Sequence, residues 1–277
     1  MPFYSFILRL RQSRSFGFCL FAFTFLLFTF SFRLAANTQT QTTRGVIRLK
    51  VRIRTEGTSR DLARKRFFLI KGSLDENKTL IAGIKQAEVM SRECYYRSKG
   101  ASDALVKWLQ ENDCESVYCR EIEERYVTGN EPVPEFKAAY EAGLRSFKSP
   151  DIARRWLTVN LPEELRSGYY NQKQRVITEL ISQAEAATKT NVLSVMTDRI
   201  GGAYLTDLEP GTYTISNLVG SETGKQSVLW ICEKDVKPTN LTTGMRQMVL
   251  SNEKDPRNNC EIIERPLPTC AKSALIR

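Results

Sequence analysis

The residues able to do chemistry in this 277-residue chain are carboxylates, cysteines and a row of bases, because the sequence contains no histidine. Without histidine, Ser-His-Asp and Cys-His constellations cannot be assembled within the chain, and the commonest zinc hydrolase sites lose their usual ligands. Two acidic runs remain: Glu121, Glu123 and Glu124, then Glu163 and Glu164. A pair of carboxylates can divide the roles of acid and nucleophile. Such runs more often coat solvated helix faces or sit at the positive end of a helix dipole. That is the preferred reading, with no catalytic residue and no cofactor expected; an extracytoplasmic enzyme using these acidic residues is the alternative.

The cysteines depend on the compartment, and the N-terminus sets it. Arg9, Arg11 and Arg14 stand without an acidic neighbour before an uncharged run over residues 16–32, and Leu34-Ala35-Ala36 follow after Arg33. A basic start, an apolar core and a small-residue exit form the pattern of an export signal. The apolar run is longer than a usual leader and shorter than a bilayer's hydrocarbon, so residues 1–36 read as a signal peptide, with an uncleaved signal-anchor as the alternative. The chain is therefore expected to be exported to a secreted, periplasmic or surface location. Cys19 lies within the apolar run behind Phe18 and reads as an apolar filler. Cys94, Cys114, Cys119, Cys232, Cys260 and Cys270 remain. An even set in an oxidising space favours disulfides. They form one cluster of three mid-chain and one at the end, so complete pairing requires at least one bridge between the clusters; the connectivity stays open. Zinc is the competing reading, but short paired Cys-x-x-Cys clusters are absent.

The chain carries 41 basic and 31 acidic residues. Removing the leader's Arg9, Arg11, Arg14 and Arg33 leaves a mildly basic exported part, without the charge of a nucleic-acid binder. The elements that must position these residues begin near Arg44, after a polar tether over 37–43. Ile47, Leu49, Val51 and Ile53 alternate with Arg48, Lys50, Arg52 and Arg54, the period of a strand with one wet face. Glu56 to Ser59 reads as a turn, and Phe67-Phe68-Leu69-Ile70 as a second strand buried on both faces. Residues 44–79 thus supply the first strands.

Residues 80–190 read as mainly helical. Ser102 is placed to cap a helix carrying Leu105, Trp108 and Leu109, and Pro134 opens one with a Phe136, Tyr140, Leu144 and Phe147 stripe. Ser149-Pro150 opens another with Ile152 and Trp156 on one face. The longest, from Pro162 to about Ala187, sets Leu165, Tyr169, Val176, Leu180, Ile181 and Ala184 against Glu163, Lys173, Glu179 and Gln183. Strand patterns return over 191–251, with Pro210-Gly211 as a turn between two of them. Residues 252–277, with three prolines, read as an irregular tail held by Cys260 and Cys270.

Thr197-Asp198, Gly201-Gly202, Ala203-Tyr204-Leu205, Leu208 and Pro210-Gly211-Thr212-Tyr213 together resemble the carboxypeptidase regulatory-like and Cna-B-type β-sandwiches of the transthyretin-like group. Glycine and Pro-Gly turns punctuate short strands, and Tyr213 supplies a large inward side chain. The resemblance implies an antiparallel, prealbumin-like Greek-key β-sandwich, whose second and third strands are usually joined by a short connection; the helical block of residues 80–190 falls there, so the expected class is α+β, a sandwich interrupted by a mainly helical insertion. It also implies cell-surface or binding roles rather than catalysis. Some Cna-B-type domains form Lys–Asn crosslinks, but the required Lys, acid and Asn have no evident positions, and the usual Glu-x-x-Ala-Pro-x-Gly-Tyr ending is absent.

The basic row Arg48, Lys50, Arg52 and Arg54 has two readings. The preferred one is a charged face that keeps the sheet soluble and blocks edge pairing; the other is a contact for an anionic surface or acidic envelope polymer. Trp108, Trp156 and Trp230 are expected in cores rather than as sugar platforms. Asn77-Lys78-Thr79 and Asn240-Leu241-Thr242 match the N-glycosylation acceptor. The expected function is an exported, non-catalytic module in envelope or extracellular binding or structure, with no nucleic-acid partner and membrane contact only through its N-terminal segment. An inert spacer is a further alternative.

Overall fold

Alternation of apolar and basic side chains builds the first strand of the computed structural model, β1 (Gly45–Thr55), which buries Ile47, Leu49, Val51 and Ile53. Because side chains alternate across a strand, this buried set also fixes its register. Gly57, at φ +80°, adopts the left-handed turn conformation open to glycine, and β2 (Thr58–Asp61) pairs straight back, with Thr55 opposite Thr58. Thr58 and Ser59, expected in the turn, already belong to the strand.

The structure describes residues 44–55, 57–238 and 247–270. The expected leader (1–36), the tether (37–43) and the acceptor at Asn240 lie outside the described residues.

β1 occupies the middle of the smaller sheet. It pairs antiparallel with β2 and with β5 (Gly202–Leu208), and parallel with β9 (Met248–Leu250). The parallel pair corrects the wholly antiparallel expectation. A hairpin forces antiparallel neighbours, whereas a strand arriving from the other sheet can run either way. The larger sheet has the order β10 (Asn259–Pro266), β8 (Gln226–Val236), β6 (Gly211–Ser216), β3 (Arg66–Lys71) and β4 (Leu193–Met196), with β7 (Ser221–Thr223) also paired to β8.

Between the two sheets, Phe67, Leu69, Ile215 and Trp230 pack against Leu49, Val51 and Leu250; the Phe67 and Trp230 rings lie 5.8 Å apart. The larger sheet is also covered on its other face. There Phe68, Ile70 and Ile231 meet Ile81 and Ile84 of α1 (Lys78–Gln86) and Ile177 and Leu180 of α6 (Tyr169–Thr188). This double covering is the reason Phe67 to Ile70 is a continuous apolar run.

The remaining helices of the insertion, which joins β3 to β4, are α2 (Arg92–Ser98), α3 (Asp103–Glu111), α4 (Pro134–Phe147) and α5 (Pro150–Arg155). The Ser91, Ser102 and Ser149 hydroxyls accept from the backbone N–H of Cys94, Leu105 and Ile152, satisfying donors that a helix start leaves open. These helices enclose a core of their own around Tyr96, Trp108, Leu109 and Phe136, with the Trp108 and Phe136 rings edge to face at 5.1 Å. The chain is therefore an α+β protein, a two-sheet β-sandwich interrupted by a mainly helical insertion.

Several sequence expectations are corrected. The tail is not irregular: β10 pairs with β8 over eight residues, from Asn259 opposite Glu233 to Pro266 opposite Gln226. Its few apolar residues hid it, because an edge strand carries charged side chains. On α4 the buried set is Phe136, Ala139 and Gly143, while Phe147 is exposed. On α6 Lys173, assigned to the wet face, is buried. Among the described residues, no helix is long and apolar enough to cross a membrane.

Candidate functional site

The cysteines pair as Cys94–Cys270, Cys114–Cys119 and Cys232–Cys260. The first joins the two sequence clusters, tying α2 to the segment just after β10. The second closes a short loop behind α3. The third links β8 and β10 at directly opposed positions of their ladder.

Beside the first two bridges lies an ionic seam between insertion and sandwich, with buried cations and part-buried carboxylates. Lys65 at the foot of β3 meets Asp113 at 2.9 Å. Lys173 donates to Glu115 at 2.5 Å. The Arg92 backbone N–H donates to Glu222 at 2.7 Å, and the Tyr169 hydroxyl donates to the same carboxylate oxygen at 3.0 Å. The Arg92 guanidinium donates to the Cys114 carbonyl at 2.9 Å, while its buried Nε has no hydrogen-bond partner. Lys65, Arg92 and Lys173 thus oppose Asp113, Glu115 and Glu222, and the seam is electrically balanced, as buried charge must be. Burial pushes the Glu115 carboxyl up, but the Lys173 ammonium and its hydrogen bond outweigh this and hold it below the ordinary carboxylate range. Burial, followed by the Glu222 charge, pushes the Tyr169 hydroxyl well up, so it remains a donor.

Two hollows open along this seam. One, of about 600 Å³, is lined by the apolar Ile84, Val219 and Leu229 together with Glu222 and Arg265. The other, of about 480 Å³, lies between Arg64, Tyr118, Tyr170 and Arg199. Both fall within the size range of ligand pockets. Neither is legible in the sequence, since each combines separate parts of the insertion with sandwich segments far away in sequence; Tyr118 inside a Cys-x4-Cys loop is the available signal.

The acidic runs do not converge. Glu123 pairs with Arg120 and Arg125, Glu124 with Arg154, and Glu163 with Arg166, while Glu121 and Glu164 are exposed. Hydrogen bonds from Ser167 and Arg166 hold Glu163 below the ordinary carboxylate range, the opposite of what a general acid needs. Among the described residues, no group of three His, Cys, Asp or Glu side chains could hold a metal ion.

The basic row does share one exposed face. Lys50 pairs with Asp61 and Arg54 with Glu253, each at 2.7 Å, leaving Arg48 and Arg52 exposed and without an ion pair among the described residues. Tyr204, 48% exposed, stands directly opposite Arg48 on β5. Because β1 is paired on both sides, its bases cannot serve to block edge pairing, which corrects that part of the preferred reading. Trp108 and Trp230 are buried, but Trp156 is 54% exposed, because the short α5 turns its Ile152 and Trp156 face to solvent. Asn77 is buried, and its amide donates to the Lys71 and Ser73 carbonyls and to Thr214, so it has no room for a glycan.

The residues that carried the resemblance prove to be structural fasteners. The Thr197 hydroxyl donates to the Leu62 carbonyl at 2.7 Å and accepts from the Lys65 N–H at 2.8 Å. Gly201 has φ +72°, and a Cβ there would meet the Val51 carbonyl oxygen at 2.4 Å. The Tyr213 hydroxyl reaches back to the Glu209 carbonyl at 2.9 Å.

The class defined by this arrangement is a disulfide-braced β-sandwich with a helical insertion clamped to it. No family model matches the chain, and no curated protein matches it. Among solved structures, it is similar to the pilus backbone RrgB of Streptococcus pneumoniae, at 11% identity and a TM-score of 0.24, over 74% of this chain and 40% of that one. A full-length form of that major pilin aligns at 12% identity and a TM-score of 0.21, over 74% of this chain and 30% of the pilin. The chain spans 40% or less of the length of these structures. The fold class stated above rests on the ladders and cores of this chain.

Proposed function

We propose that this chain is an exported, non-catalytic binding module of the cell envelope or extracellular space, in which the sandwich is the scaffold and the insertion presents the contact surface. The observation that carries the reading is the clamp. Cys94–Cys270 closes a loop of 176 residues, and the Lys65–Asp113 and Arg92–Glu222 contacts hold the insertion against the sheets. Three disulfides suit an oxidising compartment, and the expected leader suits delivery to it. The acidic runs, spread over the surface with Glu123, Glu124 and Glu163 held by arginines, have no catalytic task in this reading. Membrane contact comes only through the N-terminal segment, and the exposed Arg48 and Arg52 favour an anionic partner.

The test is retention of the oxidised full chain on isolated envelope material, with turnover of envelope polysaccharide and peptide followed in the same samples. Retention without turnover supports the reading. Sustained turnover by the oxidised chain would sink it in favour of an enzyme, and absence of any retention favours an inert spacer.

A further inference from the structure

We propose that the hollow of about 480 Å³ between Arg64, Arg199, Tyr118 and Tyr170 binds an acidic sugar unit of a polyanionic polysaccharide; this names the partner class for the binding module above and rests on that reading. Tyr118, 54% exposed, and Tyr170, 40% exposed, both line this hollow, and tyrosine offers an apolar ring with a polar tip. Tyr118 is also rigidly mounted. Its loop is closed by Cys114–Cys119, and its neighbour Val117 is fully buried. An aromatic side chain held in this way provides contact area at little entropic cost.

The charge around the hollow is uneven. On the floor, Lys65 is neutralised by Asp113, and Glu115 by Lys173. At the mouth, Arg64 and Arg199 have no carboxylate partner among the described residues. Arg64 is nevertheless placed: its N–H donates to the Thr197 carbonyl at 3.0 Å and its guanidinium to the Cys119 carbonyl at 2.9 Å, leaving further N–H donors for a ligand. A guanidinium pairs with a carboxylate or phosphate through paired N–H donors. Asp113, whose side chain keeps 31% exposure, offers an acceptor for hydroxyl groups. Ring faces, hydroxyl acceptors and guanidinium donors in one hollow match an acidic sugar. An acidic peptide would use the arginines and leave the tyrosines without a ring to stack on.

The surroundings favour a polymer over a single sugar. Next to Arg199, the Ile200 carbonyl accepts from Lys50 of β1, so the rim of the hollow continues into the exposed sheet face. On that face Arg48 and Arg52 lie about 13 Å apart at the usual strand rise, with Tyr204 opposite Arg48. Guanidinium and aromatic groups therefore recur along one continuous surface.

The probe is soluble polygalacturonate, with dextran as the neutral control, polyglutamate as the acidic-peptide control and phosphatidylglycerol vesicles as the lipid control. Binding to the oxidised full chain is measured at several salt concentrations. Polygalacturonate is expected to bind and dextran not. Tyr118→Ala combined with Tyr170→Ala should weaken binding about tenfold, the scale of lost aromatic contacts. Arg199→Gln should weaken it comparably, and Trp156→Ala, outside the hollow, should leave it unchanged. All four side chains are exposed, so the fold should survive; circular dichroism checks this. Polyglutamate or vesicles bound as tightly as polygalacturonate, with the tyrosine variant indifferent, overturn the proposal. So does polygalacturonate binding that ignores both Tyr118 and Arg199. Retention on envelope material without any polygalacturonate binding overturns the hollow while leaving the binding-module reading intact.

Discussion

The sandwich and the insertion reach stability by different routes. The sandwich is a set of long ladders closed over alternating apolar side chains, and its larger sheet is buried on both faces by Phe67, Phe68, Leu69 and Ile70. Its polar fasteners, such as Thr197 and Asn217, are satisfied within the sheets. In the insertion, α2, α3 and α5 have only 7, 9 and 6 residues, below the length at which an isolated helix is stable in water. The insertion depends on packing around Trp108 and Phe136, two disulfides and an ionic seam. The comparison teaches that the insertion is ordered by its attachments, so chemistry acting on those attachments should loosen it before it disturbs the ladders.

The largest expected effect comes from the longest covalent loop. Replacing Cys94 and Cys270 with serine should cost about 5 kcal/mol on the chain-entropy scale. Hydrogen exchange should then rise first in α2 and α3 and last in β1 and β8; equally fast exchange in both regions would break the comparison. Next, Trp230→Ala, emptying the centre of the sandwich, should cost about 4 kcal/mol. Because α1 and α6 rest on the same sheet, one cooperative transition in denaturant is expected, and a surviving helical signal would contradict it.

Arg92→Ala leaves Glu222 buried without its cation and should cost about 3 kcal/mol, read by urea unfolding, with limited proteolysis locating the opening in the insertion. A smaller loss is expected on acidification. Glu115 is held below the ordinary carboxylate range by Lys173; its stabilisation is complete above the unfolded carboxylate value and is lost as pH falls through the lowered folded one. Glu115→Gln should therefore flatten the acid limb of a stability–pH curve, and an unchanged limb would assign that limb to other groups. The smallest effect belongs to Glu124→Gln, whose partner Arg154 and own side chain are 41% and 70% exposed. A change in thermal midpoint equivalent to about 0.5 kcal/mol or less is expected, and a larger one would show that the acidic run does more than coat a surface.

What could be read from sequence followed from period and punctuation. β1 announced itself because four bases alternate with four buried residues, and the starts of α3 and α5 because Ser102 and Ser149 sit where a cap must. The Pro210-Gly211 turn and the inward Tyr213 were legible for the same local reasons. β10 was not, since an edge strand with Glu261, Glu264 and Arg265 exposed has no apolar alternation strong enough to identify it. Lys173 reads as a wet residue of α6 because its type outweighs its position until Glu115 faces it. Neither hollow is legible in sequence, as each is walled by segments that meet only in three dimensions.

The sequence by itself determined the class of chain: its strand and helix periods, its apolar faces, the lack of histidine chemistry and an even set of six cysteines behind an export-type start. Only the tertiary structure decided which cysteines meet, which charges are buried in pairs and which remain exposed. Periodicity acts between residues a few positions apart, whereas the Cys94–Cys270 and Cys232–Cys260 bridges, the ionic seam and the Arg64–Arg199 hollow join residues tens to more than a hundred positions apart, whose approach is set by how the layers pack.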